Sequence, residues 1–191
     1  MREARDALAA VALSDGRVFV FGGWNGHSSL ASVEFCQLRG DWSHTIATAA
    51  RPEEGFWRPL EPMRTPRYFH AAVAFRGKII VAGGYASAKD DQDDVGQAVV
   101  EVFSPPTAER PLGEWTRVAD LLVPRKVFTL LVYKDRLYAL GNNGHPTNTI
   151  EEFIPADPPA VTEDLSSWSW TALDPLNALS DIYGAVVIQQ C

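Results

Sequence analysis

The chain has 191 residues, 46% apolar and 21% charged, with 14 glycines, 13 prolines and six tryptophans, a make-up that supports a packed core and excludes a disordered chain. Twenty-four acidic residues against 17 Lys and Arg give a formal charge of −7 with no basic cluster, so neither nucleic acid nor an anionic membrane is an expected partner. No run approaches the ~20 apolar residues of a membrane span, and charge interrupts the apolar stretch at the amino end where a secretory signal would be continuous.

The two cysteines, Cys36 and Cys191, form no short-spaced metal or redox motif and no framework of bridges. A reduced compartment, the cytoplasm with the nucleus as an alternative, is the expected location.

In chain order, the first predicted unit runs from Arg5 through an apolar strand, a turn and a second apolar strand to Gly22-Gly23. A third strand carries Val33-Glu34, and a fourth begins at Trp57 in "WRPL". The same layout returns in "RTPRYFHAAVAFRGKIIVAGGY", with Arg67, Gly83-Gly84, Val100-Glu101 and then Trp115 in "WTRV". It returns again from Arg125, with Gly141-Asn142, Ile150-Glu151 and Trp170 in "WTAL".

Ten positions separate Trp57 from Arg67 and Trp115 from Arg125, and the tryptophans recur at 58 and then 55 residues. Four short strands per unit, at period 2 rather than 3.6, describe antiparallel sheets set side by side, an all-β β-propeller. The predicted repeats cover residues 4–66, 67–124 and 125–179. Ser180, ten positions beyond Trp170, opens a partial fourth repeat over 180–191, expected to be its first strand. Three blades and one strand do not close a ring, so the expectation is an open propeller with apolar sides on its end blades, completed by further blades or by self-association.

With the double glycine, the acidic third strand and the fourth-strand tryptophan in register through three units, the chain resembles the kelch-repeat family over nearly its whole length. Two positions depart from the pattern. Cys36 stands where Phe103 and Phe153 supply the third-strand aromatic, and Asn142 replaces the second glycine of the third unit, a change that a positive φ tolerates.

Residues that recur in every unit read as scaffold. Arg5, Arg67 and Arg125 with Glu34, Glu101 and Glu151 are expected to pair within or between blades. Trp57, Trp115 and Trp170 are expected to fill the gaps between sheets, and Gly22, Gly23, Gly83, Gly84 and Gly141 to let strand ends turn and approach closely.

Function is expected where the units differ. The loop between second and third strands lies on the same face as the linker entering each blade, because successive connections of an antiparallel sheet alternate sides. That face collects Trp24, Asn25, His27, Tyr68, Phe69, Tyr85, Lys126, Asn143 and His145, groups suited to gripping a peptide or loop of a protein partner. Each aromatic can equally pack its own loop.

In kelch-like adaptors of cullin-type ubiquitin ligases a partner peptide docks on this face, beside the double glycine and the repeat arginine. The resemblance places Trp24, Tyr85, Asp6, Tyr68, Phe69, Lys126 and Asn143 at those positions. The 191 residues hold no BTB or BACK region.

Other features read as structural. The acidic loop "KDDQDD" lacks the spacing and turn glycine of a calcium-binding loop and reads as solvated. His27, His44, His70 and His145 lack metal-ligand spacing, so no metal and no cofactor are expected. The long connection "QLRGDWSHTIATAARPEEGF" is either a second contact surface or an insertion without order.

No catalytic motif emerges. The expected function is therefore non-catalytic protein binding, as the substrate-recognition or scaffold part of a ubiquitin-ligase adaptor or of an actin-associated cytoskeletal protein. A fragment of a kelch-propeller enzyme, such as a copper sugar oxidase or a mutarotase, is the alternative that the resemblance implies.

Overall fold

Each of the three units folds as one antiparallel meander. A computed structural model describes residues 1–38, 56–86, 96–141, 147–156, 164–176, 182 and 185. In the first unit β1 (Ala9–Ala12), β2 (Arg17–Phe21), β3 (Val33–Gln37) and β4 (Arg58–Leu60) pair in sequence order. The second sheet holds β5 (Ala71–Phe75), β6 (Lys78–Ala82), β7 (Val100–Ser104) and β8 (Glu114–Arg117). The third holds β9 (Thr129–Tyr133), β10 (Arg136–Leu140), β11 (Ile150–Pro155) and β12 (Trp168–Leu173), the last entered through a short 3₁₀ turn, Leu165–Ser167. These are three blades of a β-propeller, and the described residues form an unclosed ring.

Tight turns set the hairpin registers. Phe75 opposes Lys78 across Arg76-Gly77, and Tyr133 opposes Arg136 across Lys134-Asp135, with all four turn residues at positive φ. Two left-handed residues match the right-handed twist of the flanking strands.

The core lies between sheets. Phe19 and Phe21 of blade 1 meet Ile79, Val81, Phe103 and Trp115 of blade 2. The opposite face of blade 2, with Phe75, Ile80 and Val102, meets Leu137, Phe153 and Trp170 of blade 3. Period-2 alternation lets one strand supply both seams, since successive side chains point to opposite faces.

The tryptophans tie neighbouring blades together. Trp115 Nε1 donates to the Glu61 carbonyl at 2.8 Å, and Trp170 Nε1 donates to the Ala119 carbonyl at 3.1 Å. Trp57 departs from its expected gap-filling role: it stays half-buried against Phe56, because no sheet lies beyond blade 1 among the described residues.

The end of blade 3 is also not uniformly apolar. Tyr138 and Glu152 face outward there, with Glu152 buried and ion-paired to Arg136. At the matching places of blade 2, Ile80 and Val102 are wholly apolar, so the end blade carries a charged pair where its neighbour carries core.

The start of the fourth repeat shifts as well. The carbonyl of Ile182 sits against Gly141, just as those of Arg67 and Arg125 sit against Gly22 and Gly83. Ile182 therefore takes the arginine place, two positions beyond Ser180, which lies outside the described residues. Its side chain packs with Leu140 and Ile150, making the junction apolar where the other linkers use a charge.

Candidate interaction face

Three buried arginines hold the inner ends of the blades. Arg67 pairs with Glu101 at 2.7 Å, Arg5 with Glu34 at 2.7 Å and Arg125 with Glu151 at 2.9 Å, all with guanidinium groups shielded from water. Each guanidinium also donates to the carbonyl of the glycine that directly follows the second strand: Gly22, Gly83 or Gly141.

Each carboxylate in turn accepts the backbone N–H three residues before its arginine, from Arg2, Arg64 or Leu122. One motif thus locks the linker, the double-glycine turn and the third strand together. Burial lowers the pKa of Arg67, while the Glu101 carboxylate opposes that shift. A charge this buried needs its partner, and the motif uses every oxygen it has for structure.

The glycines decide how closely neighbouring units approach. Gly22 and Gly83 have φ of 53° and 64°, and a Cβ on either would stand 2.5 or 2.6 Å from the carbonyl of Arg67 or Arg125. No larger residue fits that contact. The second glycines allow the same closeness within a blade: a Cβ on Gly23 or Gly84 would stand 2.6 Å from the carbonyl of Asp6 or Tyr68, and these linkers pair with the loops that follow the double glycine, Asp6 with Trp24 and Tyr68 with Tyr85.

The side chains of those paired segments form a continuous row across two blades. Trp24 and Tyr68 lie 5.3 Å apart between ring centroids, and Tyr68 stacks on Tyr85 at 5.2 Å. Phe69 flanks both tyrosines at 5.4 and 6.2 Å, and the Lys126 ammonium lies 4.5 Å over the Tyr85 ring. Trp24, Tyr68 and Tyr85 are half-buried, whereas Phe69 is 45% exposed.

Phe69 has φ of 51°, a left-handed conformation that costs a bulky residue roughly 1–2 kcal/mol. Ala7 and Val127, at the same place in the other linkers, share it. The Phe69 N–H donates to the Ala7 carbonyl at 2.9 Å and the Val127 N–H to the Phe69 carbonyl at 3.1 Å, a backbone chain that runs from blade to blade and enforces the strain. In the sequence this backbone chain is marked by nothing more than a fixed place two residues after each repeat arginine, filled by Ala7, Phe69 and Val127.

Of the other expected contacts, Asn25 is occupied by its own loop: its Oδ1 accepts the N–H groups of His27 and Ser28, and its Nδ2 donates to Glu3. His27 is exposed beside it. Asn143, His145, His44, Asn142, the acidic loop and most of the 37–56 connection lie outside the described residues.

His70 is buried at the seam between blades 1 and 2, its Cε1 beside Gly22. Neither ring nitrogen has a hydrogen-bond partner among the described residues. Burial, with Arg67 adding repulsion, pushes its pKa down to about 3; a backbone contact from Phe21 opposes the shift without reaching hydrogen-bond geometry. The imidazole is therefore neutral at ordinary pH and acts as a seam filler. Among the described residues no three His, Cys, Asp or Glu gather to hold a metal, and no helix is long and apolar enough to cross a membrane.

The family model described as the Kelch motif matches residues 7–34 and 66–122. Alpha-scruin of Limulus polyphemus is 30% identical over 53% of this chain and 11% of its own length. Kelch-like protein 15 of Homo sapiens is 26% identical over 74% of this chain and 23% of its own. The influenza virus NS1A-binding protein homolog of Mus musculus is 29% identical over 54% and 14%. The chain thus spans between about a tenth and a quarter of the length of these relatives.

Among solved structures, YjhT superposes with a TM-score of 0.61 at 13% identity, over 90% of this chain and 46% of that one. A fungal alcohol oxidase in complex with copper superposes with a TM-score of 0.55 at 23% identity, over 73% and 27%. At such identities the likeness concerns the fold.

Proposed function

This chain belongs to the kelch-repeat family, and from that premise we propose that it is a non-catalytic protein-interaction module whose contact face is the row of Trp24, Tyr68, Phe69, Tyr85 and Lys126. The observation that carries the reading is Phe69. A phenyl ring is held out to solvent at 45% exposure beside a stack of three further aromatics, at a place where the other linkers carry Ala7 and Val127. Large rigid aromatics are the residues that dominate protein contacts.

Two further facts support the reading. The repeated charged groups are spent on the scaffold, which leaves recognition to the positions where the blades differ. One relative is also named for binding another protein, NS1A. Within this reading the chain serves substrate recognition or scaffolding, in a ubiquitin-ligase adaptor or an actin-associated protein of the cytoplasm or nucleus.

The test is site-specific photo-crosslinking in cell extract. A benzophenone side chain at position 69 is expected to capture a protein partner, and the double change Trp24→Ala/Tyr85→Ala to abolish the capture. The same probe at Thr107, in the exposed β7–β8 connection on the opposite face, is the control. Capture at 107 alone, or a co-purifying small ligand that is turned over with no capture at 69, would overturn the reading.

A further inference from the structure

We infer that the occupant of this face is a proline-rich segment in the polyproline II conformation, with a basic residue at the Trp24 end; the inference rests on the interaction reading above. The backbone comes first. Asp6 and Trp24 exchange both hydrogen bonds at 2.9 Å, and Tyr68 and Tyr85 exchange theirs at 3.1 and 2.8 Å. With those donors and acceptors spent, a peptide cannot add here as a strand, a mode that draws its affinity from main-chain pairing. Recognition falls to the side chains.

The spacing of the row then selects the ligand. Tyr68 lies 5.3 Å from Trp24 and 5.2 Å from Tyr85 between ring centroids, so the row is long enough to admit the ~9 Å of one polyproline II turn. Prolines one turn apart would seat against the two ends of the stack, on flat rings whose polar tips reach peptide carbonyls. The partner helix is preformed and has no internal hydrogen bonds, so little ordering cost offsets the contact.

Charge sets the rest. Asp6 is exposed and backbone-paired to Trp24, which places a carboxylate at that end of the row. Lys126 places an ammonium at the Tyr85 end. The face is acidic at one end and basic at the other, complementary to a proline-rich stretch whose Arg or Lys lies over Asp6.

The test uses labelled synthetic peptides and the full chain, read by fluorescence polarisation. The probes are a nonaproline with one terminal arginine, the same peptide with glutamate in its place, an uncharged nonaproline, and a glycine–serine peptide bearing the arginine. The arginine–proline peptide is expected to bind at least about tenfold more tightly than the glycine–serine control, and Tyr85→Ala to remove that margin while Tyr85→Phe retains it. Asp6→Asn is expected to erase the advantage of the arginine peptide over the uncharged one, together with its salt dependence, and to leave the uncharged peptide unaffected.

Thermal melting of each variant separates lost contact from lost fold. Equal binding of the proline and glycine–serine peptides, or an unchanged affinity in a natively melting Tyr85→Ala, overturns the inference. If a protein still cross-links at position 69 while no proline peptide binds, the interaction face stands and only the ligand class falls. If neither occurs, both readings fall.

Discussion

The seam between blades 1 and 2 and the seam between blades 2 and 3 share a frame and differ in what fills it. In both, a tryptophan indole donates back to the preceding blade and an arginine carbonyl presses on a glycine. Three residues past that arginine, however, the first seam has His70 against Gly22 and the second has Phe128 against Gly83. Polar contacts over the outer ends of the strands differ too. Arg76 lies over the Phe75 and Trp168 rings and reaches the Asp135 carboxylate across the second seam, whereas Arg17 lies over the Phe19 ring of its own blade and reaches the Pro106 carbonyl across the first. The frame tolerates a ring of either chemistry because it specifies a volume; the hydrogen bonds that fix the blades come from other atoms.

That comparison can be broken at its frame. Glu101→Ala leaves Arg67 buried without its carboxylate and the Arg64 N–H without its acceptor, and a loss of about 3–5 kcal/mol in urea unfolding is expected. Glu151→Ala should cost a similar amount at the second seam. A loss within about 0.5 kcal/mol, the range of ordinary surface changes, would show that the pairs do not hold the linkers.

Trp115→Ala removes an indole that is 5% exposed and is expected to cost about 3–5 kcal/mol. Trp57→Ala removes the same side chain from the open end and should cost about 1 kcal/mol, since little packing is lost there. Equal losses at the two positions would mean that blade 1 is covered in solution.

His70→Phe makes the first seam resemble the second. The imidazole titrates near 3 when folded and near 6.5 when free, so below about pH 6.5 the unfolded chain binds the additional proton. Its contribution is fully present above pH 6.5 and is lost as pH falls toward 3, at up to about 1.4 kcal/mol per pH unit. The variant is expected to lose stability less steeply than the parent between pH 6.5 and 4, with the curves parallel above pH 7. Parallel curves throughout would show that His70 is not buried neutral.

The smallest expected effect lies on the face itself. Tyr85→Ala should alter unfolding by about 1 kcal/mol or less, because the ring is half-exposed and its backbone pairing with Tyr68 survives the change. A loss as large as that of Trp115→Ala would make Tyr85 part of the core.

Much of the architecture was determined by the sequence alone. Strand alternation, paired glycines and the recurring Arg, Glu and Trp depend on local geometry and on a repeat that shows itself three times, so the number of blades and their four-stranded form were legible. The seam positions of Trp115 and Trp170 follow from the same periodicity, whereas the two-residue turns of the second and third blades were not specified by it. Tertiary structure alone decided what depends on neighbours. It left Trp57 half-exposed because no sheet covers it, placed Ile182 rather than Ser180 at the fourth junction, and exchanged core for an ion pair on the outer face of blade 3. It also turned scattered aromatics into one row. Trp24, Tyr68 and Tyr85 are separated by 44 and 17 positions in the chain, and they meet because glycines without side chains let two linkers pair with two loops. A contact of that kind depends on the distance between blades, which no local pattern of residues encodes.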